Sequence, residues 1–323
     1  MGKRVFHLID MSTYSRDRQL DLLRGIAVMG MFFFSFVLSL SDKLPILLEH
    51  NVPGRLLPGD FVLSLFLFSS GVSIALLRGR YTSVLSRELW EKILRRLAMM
   101  IGVSTLITPF SVGTFLGMDE VMLNAALTLP ALLLAGLGLG SNCAVVALLA
   151  VTYDGLQRVG LGLPVSTVYL GGYAGAIFFL PVMIAGVLVC HEWRDRALPH
   201  TLAWAGIVAL SWYLFGGPDK LSLTPSFMAL SCSASALVLY LLGRFHITNR
   251  WLEYCGRHSL RMWVLMFVLL GPLRLYAEVS LHARRLSFEW WHAVAIAITW
   301  MAVSVLVSKS LDQILEKRRP ATT

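Results

Sequence analysis

The sequence predicts an all-α, polytopic membrane protein of about ten transmembrane helices, with both termini on the cytoplasmic side. Three observations carry that prediction. Hydrophobic residues make up 56% of the 323 and charged residues only 15%, where a soluble domain is nearer a quarter charged. The apolar residues come in blocks of roughly 15 to 20, the length that crosses a hydrocarbon core as a helix. The mean hydropathy is +0.69, and the charges collect between the blocks.

The blocks read as spans at 25–41, 59–77, 97–115, 122–138, 142–157, 166–189, 201–216, 226–243, 259–277 and 290–308. Only a Gly-Ser-Asn break in "LLLAGLGLGSNCAVV" separates the fourth from the fifth, so one broken helix is the alternative there. An even number of spans puts both ends on one side. Of the 28 Lys and Arg, only Lys43, Arg55, Arg158, Lys220, Arg274, Arg284 and Arg285 then fall on the opposite side. The richer side is cytoplasmic by the positive-inside rule. The chain divides into a cytoplasmic N-terminal segment (1–24), a transmembrane domain (25–308) and a cytoplasmic tail (309–323).

Before the first span, "HLIDMSTYSRDRQLDLL" can form a short interfacial helix. "SVLSRELWEKILRRLAMM" sets Arg and Lys against Leu and Trp at helical spacing. It reads as an amphipathic helix on the inner surface that runs into the third span. The N-terminus lacks the short apolar core of a signal peptide. Glycine in "GLGLG", "SSGVS" and "LGGYAGAIFFLPVMIAG" serves either close helix packing or bends around a cavity.

Several function classes drop away. The net charge of +9 is explained by topology, and no nucleic-acid motif accompanies it. Cys143, Cys190, Cys232 and Cys255 form no CxxC pair and read as small apolar residues. HExxH, GxSxG and Walker A patterns are absent, and no metal site is expected. Paired intramembrane acids, which ion-driven transporters use, are also not seen, and Asp154 stands alone near an outer end.

Three groups of polar residues remain. Asp21 and Arg24 in "DRQLDLLRG" share a helix face at the inner boundary. They form a topogenic ion pair, or Arg24 helps hold an anionic cofactor through its donor fork. The first outer loop, "LEHNVPGRLLPGDF", sets His50 ten residues before Asp60 at the start of the second span. Asp60 is either a plain helix cap or the carboxylate that orients His50 as base or acyl carrier. His258, Arg261 and Arg274 lie in or beside the ninth span, where buried charge should face the bundle interior or snorkel. His282 is in the last outer loop, within reach of the first or simply solvated.

"RQLDLLRGIAVMGMFFFSF" resembles the first-span signature of the heparan-α-glucosaminide N-acetyltransferase family of transmembrane acyltransferases, in the manner of its bacterial relatives. Asp21, Arg24 and Gly25 match it. The His50-to-Asp60 spacing, followed by "FVLSLFLFSSGVSIALL", is similar to the family's second block, and Gly256, Ser259 and Leu260 to a late one. Ser35 and His258 stand where the family commonly has Asn, Met266 where it has a second histidine, and "LPALLLAGLG" replaces a middle segment.

The resemblance implies an acyltransferase of the inner or plasma membrane. It takes acyl-CoA, acetyl-CoA first of all, from the cytoplasm and serves a sugar amine or hydroxyl from outside. It implies His50 and Asp60 as catalytic. Arg24, Asp21, His258 and Arg261 become candidates for the cofactor, and Ser35, Arg274 and His282 for the acceptor. Membrane lipids surround the chain, and a homodimer is compatible with this reading. The rival classes are a transporter or flippase for a polar or lipid-linked envelope substrate, and a non-catalytic assembly partner.

Overall fold

The computed structural model describes residues 17–41, 43–49, 52, 55–81, 83, 86–111, 118–159, 175–220, 223–280 and 288–317, with backbone alone at 109–111, 157, 190–200, 269, 274–275, 277–280 and 317. The described residues contain helices and no strand. The helices are α1 (Arg18–Leu40), α2 (Val62–Gly79), α3 (Arg87–Ser111), α4 (Glu120–Leu134) and α5 (Leu139–Arg158). They continue as α6 (Leu180–Phe215), α7 (Pro225–Arg244), α8 (Arg250–Arg257), α9 (Ser259–Ser280) and α10 (Trp290–Lys317).

Five segments are long and apolar enough to cross a membrane: Arg18–Leu40, Pro58–Gly79, Leu139–Leu156, Pro225–Arg244 and Trp290–Glu316. Four apolar helices are shorter: Glu120–Leu134, Ile177–Val189, Thr201–Phe215 and Ser259–Leu273. The chain is a membrane protein. The fourth and fifth predicted spans are separate helices, parted by a turn at 135–138. The amphipathic segment does run into the third span as one helix, α3, burying Leu89, Ile93, Leu97 and Met100 on one face. The stretch predicted as an interfacial helix before α1 lies outside the described residues up to Asp17.

The α6 element is helical for 36 residues, yet it is not a straight rod. Ser226 Oγ on α7 donates to Ser211 O, and Cys232 Sγ donates to Pro181 O. Ser226 and Cys232 are about 9 Å apart along α7, whereas a straight α6 would set Pro181 and Ser211 about 45 Å apart. The backbone therefore reverses between them, as expected from the charged stretch between two predicted spans. α6 is two arms, 180–189 and 201–215.

Lipid removes the hydrophobic drive between helices, so close backbone approach and polar contacts must hold the bundle. Glycine supplies the approach. A Cβ on Gly25 would overlap the Leu252 carbonyl, and one on Gly256 the Asp21 carbonyl, so α1 and α8 touch backbone to backbone. Gly71 and Gly186 do the same for α2 and α6, against Met183 and Phe68. Of the two roles expected for glycine, packing explains these four positions. The helix α1 touches α2, α8, α9 and α10 and forms the centre of the bundle.

Candidate active site

Asp17 starts α1 by accepting from the amides of Gln19 and Leu20, at 2.9 and 3.2 Å. That start sets Asp21 and Arg24 on the first turns, facing α2 and α8. Arg24 donates to Ser73 Oγ of α2, and its other terminal nitrogen lies 3.7 Å from Asp21 Oδ1. The latter is a charge contact longer than a hydrogen bond. The two residues are brought together as predicted. On the same α1 face follow Val28, Met31 and, one turn on, the half-buried Ser35.

Arg24, Val28 and Met31 line a cavity of about 240 Å3 enclosed by α1, α2, α3, α4, α8 and α9. Arg96 of α3 and Arg257 of α8 join Arg24 in its lining. All three guanidiniums come from the helix ends predicted to face the cytoplasm. Two buried polar atoms of lining residues, Asn124 Oδ1 and Trp263 Nε1, have no hydrogen-bond partner among the described residues. Orphaned buried groups are rare and mark a place where another molecule can bind. Ser259 and Leu260, two residues of the late family-like block, also line the cavity.

The predicted helpers His258 and Arg261 do not line it. Arg261 pairs with Asp312 of α10 at 2.6 Å, and His258 Nε2 lies 3.6 Å from the same carboxylate. Tyr254 donates to Asp312 Oδ2 at 2.7 Å. This cluster ties α8 and α9 to α10. At the α8–α9 junction the helix turns Arg257 and Ser259 toward the cavity instead.

At the end of the bundle predicted to face outward, Asp60 is buried, 1% exposed. Its Oδ2 accepts from Leu57 N at 2.9 Å and caps its own turn, Pro58–Phe61. Its Oδ1 takes the Lys220 ammonium at 3.0 Å. The cap and an ionic contact, to Lys220, are thus held by one carboxylate. His50 itself lies outside the described residues, as does His282, and Arg274 is described by backbone alone. The turns on either side of His50, Ile46–Leu48 and Pro58–Phe61, touch each other.

Burial pushes Lys220 below its ordinary value of 10.5, against the pull of Asp60, the hydrogen bond to it and the charge of Glu120. Glu120 also lines the 240 Å3 cavity. One lining carboxylate, Glu120, is thus close enough to act on the charge of Lys220, while Asp60 and Lys220 do not themselves line the cavity. About 20 Å of α2 separates Asp60 from Ser73, the partner of Arg24. Neighbouring Leu223 holds a φ of 48°, and its amide donates to Lys220 O at 3.1 Å. A leucine in that left-handed conformation costs about 1–2 kcal/mol, so packing must hold this turn in place.

A family model described as heparan-alpha-glucosaminide N-acetyltransferase, catalytic, matches residues 16–153. This segment belongs to that family. The match takes in α1 to α4 and most of α5, hence Asp21, Arg24, Ser35, His50, Asp60, Arg96 and Asn124. It covers less than half of the chain and leaves out Lys220, Arg257 and Ser259. No curated protein matches the chain. The family domain makes this an acyltransferase-type membrane enzyme.

Lys220, Asn124, Trp263 and the acids Asp119 and Glu120 escaped sequence reasoning. The search for paired intramembrane acids found none, because 119–120 falls between two predicted spans. In the fold, Asp119 is fully buried, accepts from Ser104 Oγ at 2.7 Å and caps α4 through Met122 N at 2.6 Å. Ser104 lies about 10 Å inside the third predicted span, so α4 begins within the bundle. The available signal for Lys220 was its rarity, as a lone lysine in a short loop predicted to lie on the side poor in basic residues.

Proposed function

We propose that the protein transfers an acyl group, acetyl in the first instance, from cytoplasmic acyl-CoA to an extracytoplasmic acceptor such as a sugar amine or hydroxyl. One observation carries the reading: three arginines line a cavity built largely from the acetyltransferase-family segment, Arg24 and Arg96 within it and Arg257 beyond it, and the lining Glu120 acts on Lys220, the partner of Asp60. At about 240 Å3 the cavity is below the 300–1,000 Å3 of a site that swallows a drug-sized ligand. It suits the acylated pantetheine arm alone, with the nucleotide outside at the mouth. Arg24, Arg96 and Arg257 would meet phosphate oxygens, where a guanidinium forms bidentate contacts. Asn124 Oδ1 and Trp263 Nε1 suit the amide donors and acceptors of such an arm.

At the outer end an acceptor amine attacks the thioester carbonyl. The new C–N bond forms, the C–S bond breaks, the amine proton passes to His50, and the CoA thiolate leaves and takes a proton. A covalent acyl-histidine before that attack is the other order of events. Asp60 holds the outer site in place, and Lys220 neutralises its charge. In this reading 25–308 forms the transferase domain, in ten spans with both termini in the cytoplasm of a cell bounded by an inner or plasma membrane.

The test is transfer of radiolabelled acetyl from acetyl-CoA in inside-out vesicles, with a panel of amino sugars. Label on protein or acceptor, lost in His50→Ala at unchanged thermal stability, supports the reading. Movement of solute without label on either, across the panel, would establish the transporter instead.

A further inference from the structure

The α5 helix, both arms of α6 and α7 enclose a second cavity, of about 380 Å3. Its lining is almost wholly apolar and includes Val146, Ala150, Phe178, Leu188, Trp204 and Met228. Native interiors rarely leave voids larger than a water molecule. This space is open on one side, and its apolar wall is filled by hydrocarbon more readily than by water. Allowing each methylene roughly the 30 Å3 share of a liquid water, the space holds about a dozen of them.

Two further observations say what fills it. The helices around it present apolar side chains outward: Leu148 and Val151 on α5 are 66% and 61% exposed, and Leu210 and Leu214 on α6 57% and 51%. The way in therefore opens from bilayer hydrocarbon. Leu223 and Pro225 line the cavity, and the Leu223 amide sits on the carbonyl of Lys220, whose ammonium holds Asp60. The apolar cavity and the proposed transfer site share one turn of chain.

We propose that the acceptor is lipid-linked: a single alkyl or isoprenoid chain occupies the α5–α7 cavity and presents its polar head beside Asp60 and Lys220. This rests on the acyl-transfer reading and adds the class of acceptor. A membrane-borne acceptor reaches a buried site by lateral diffusion, and the chain fixes the depth of its head.

The test uses the full-length protein in phosphatidylcholine nanodiscs and a dodecyl glucosaminide with a diazirine at the chain end. A phosphatidylcholine carrying the same diazirine is the control. Illumination should label α5 and α7 peptides with the glucosaminide far more than with the phospholipid. Ala229→Phe, or Ala150→Phe should the first misfold, should suppress that labelling at an unchanged gel-filtration profile. With labelled acetyl-CoA, dodecyl glucosaminide should exceed methyl glucosaminide in kcat/KM by about tenfold or more, since taking even a few methylenes out of water concentrates the acceptor in the bilayer that feeds the cavity. The preference should collapse in the filled variants.

Equal labelling by both lipids, or labelling confined to other helices, overturns the proposal. Equal transfer to both glucosaminides overturns it while leaving acyl transfer intact. Cavity labelling without transfer to either acceptor sinks the acyl-transfer reading itself, and the acceptor assignment with it.

Discussion

Lys220→Met puts the outer site to its sharpest physical test. The substitution keeps an unbranched side chain, one atom shorter, and removes the ammonium that lies 3.0 Å from Asp60, whose side chain is 0% exposed. At that distance the Coulomb attraction is on the order of 5 kcal/mol with an effective dielectric near 20. Both groups also lost their water in forming the pair. The intact pair is therefore worth less than its attraction, while breaking it takes the ammonium away from a buried carboxylate at about 3–5 kcal/mol. At about 2–4 °C per kcal/mol, the apparent melting temperature should fall on the order of 10 °C. Asp60→Asn should do comparable damage by stranding the ammonium. The double variant Asp60→Asn/Lys220→Met removes both charges and should recover most of the loss. Scanning fluorimetry of the detergent-purified protein at one heating rate measures all four proteins, and their cycle isolates the coupling. If the double variant loses the sum of the two single losses, the pair is not coupled and the reasoning fails.

The remaining predictions concern pH, the cavity and the packing. Because the folded state holds Lys220 below 10.5, the unfolded chain binds more protons between the lowered value and 10.5. Stability from this group should therefore rise with pH across that window, and Lys220→Met should flatten the rise in a thermal-shift series. Arg257→Ala and Arg96→Ala should each raise the KM for acetyl-CoA about tenfold or more, as loss of a charge-assisted contact of about 1.5–3 kcal/mol requires. Unchanged KM in both would remove these residues from the donor site. Asp312→Ala should lower thermal stability while leaving that KM near wild type, since Arg261 and His258 act through the α8–α10 contact; a large KM change would return them to the donor site. Gly25→Ala drives a methyl group into the Leu252 carbonyl and should cost about 1–3 kcal/mol, read as a fall in melting temperature. A wild-type melting curve would show that α1 and α8 do not meet backbone to backbone.

Much of the candidate site was legible because the physics behind it is local. Asp21 and Arg24 had to share a face at i,i+3, and Asp60 had to sit where an apolar run begins. The cavity-facing assignment of Arg24 followed, and Ser35 continues its stripe. The choice between Arg257 and Arg261 was not legible. Both are basic residues at the same helix junction, and one turn of rotation, set by Asp312 some fifty residues away in the chain, decides which meets the cavity. Lys220 was hidden for the same reason, since its partner lies 160 residues earlier.

By itself the sequence determined that this is a helical membrane protein, roughly where its apolar helices lie, and that its first part carries an acetyltransferase signature. Those properties depend on composition, on the length of a hydrocarbon core and on neighbours a few residues apart. Only the tertiary structure decided that Gly25 and Gly256 join α1 to α8, that Asp60 is neutralised by Lys220, and that α4 starts inside the bundle at Asp119. It alone also decided that an apolar cavity adjoins the turn that carries Lys220. Each of these depends on close approach between segments far apart in the chain, in a medium where a buried charge must find its partner within the protein.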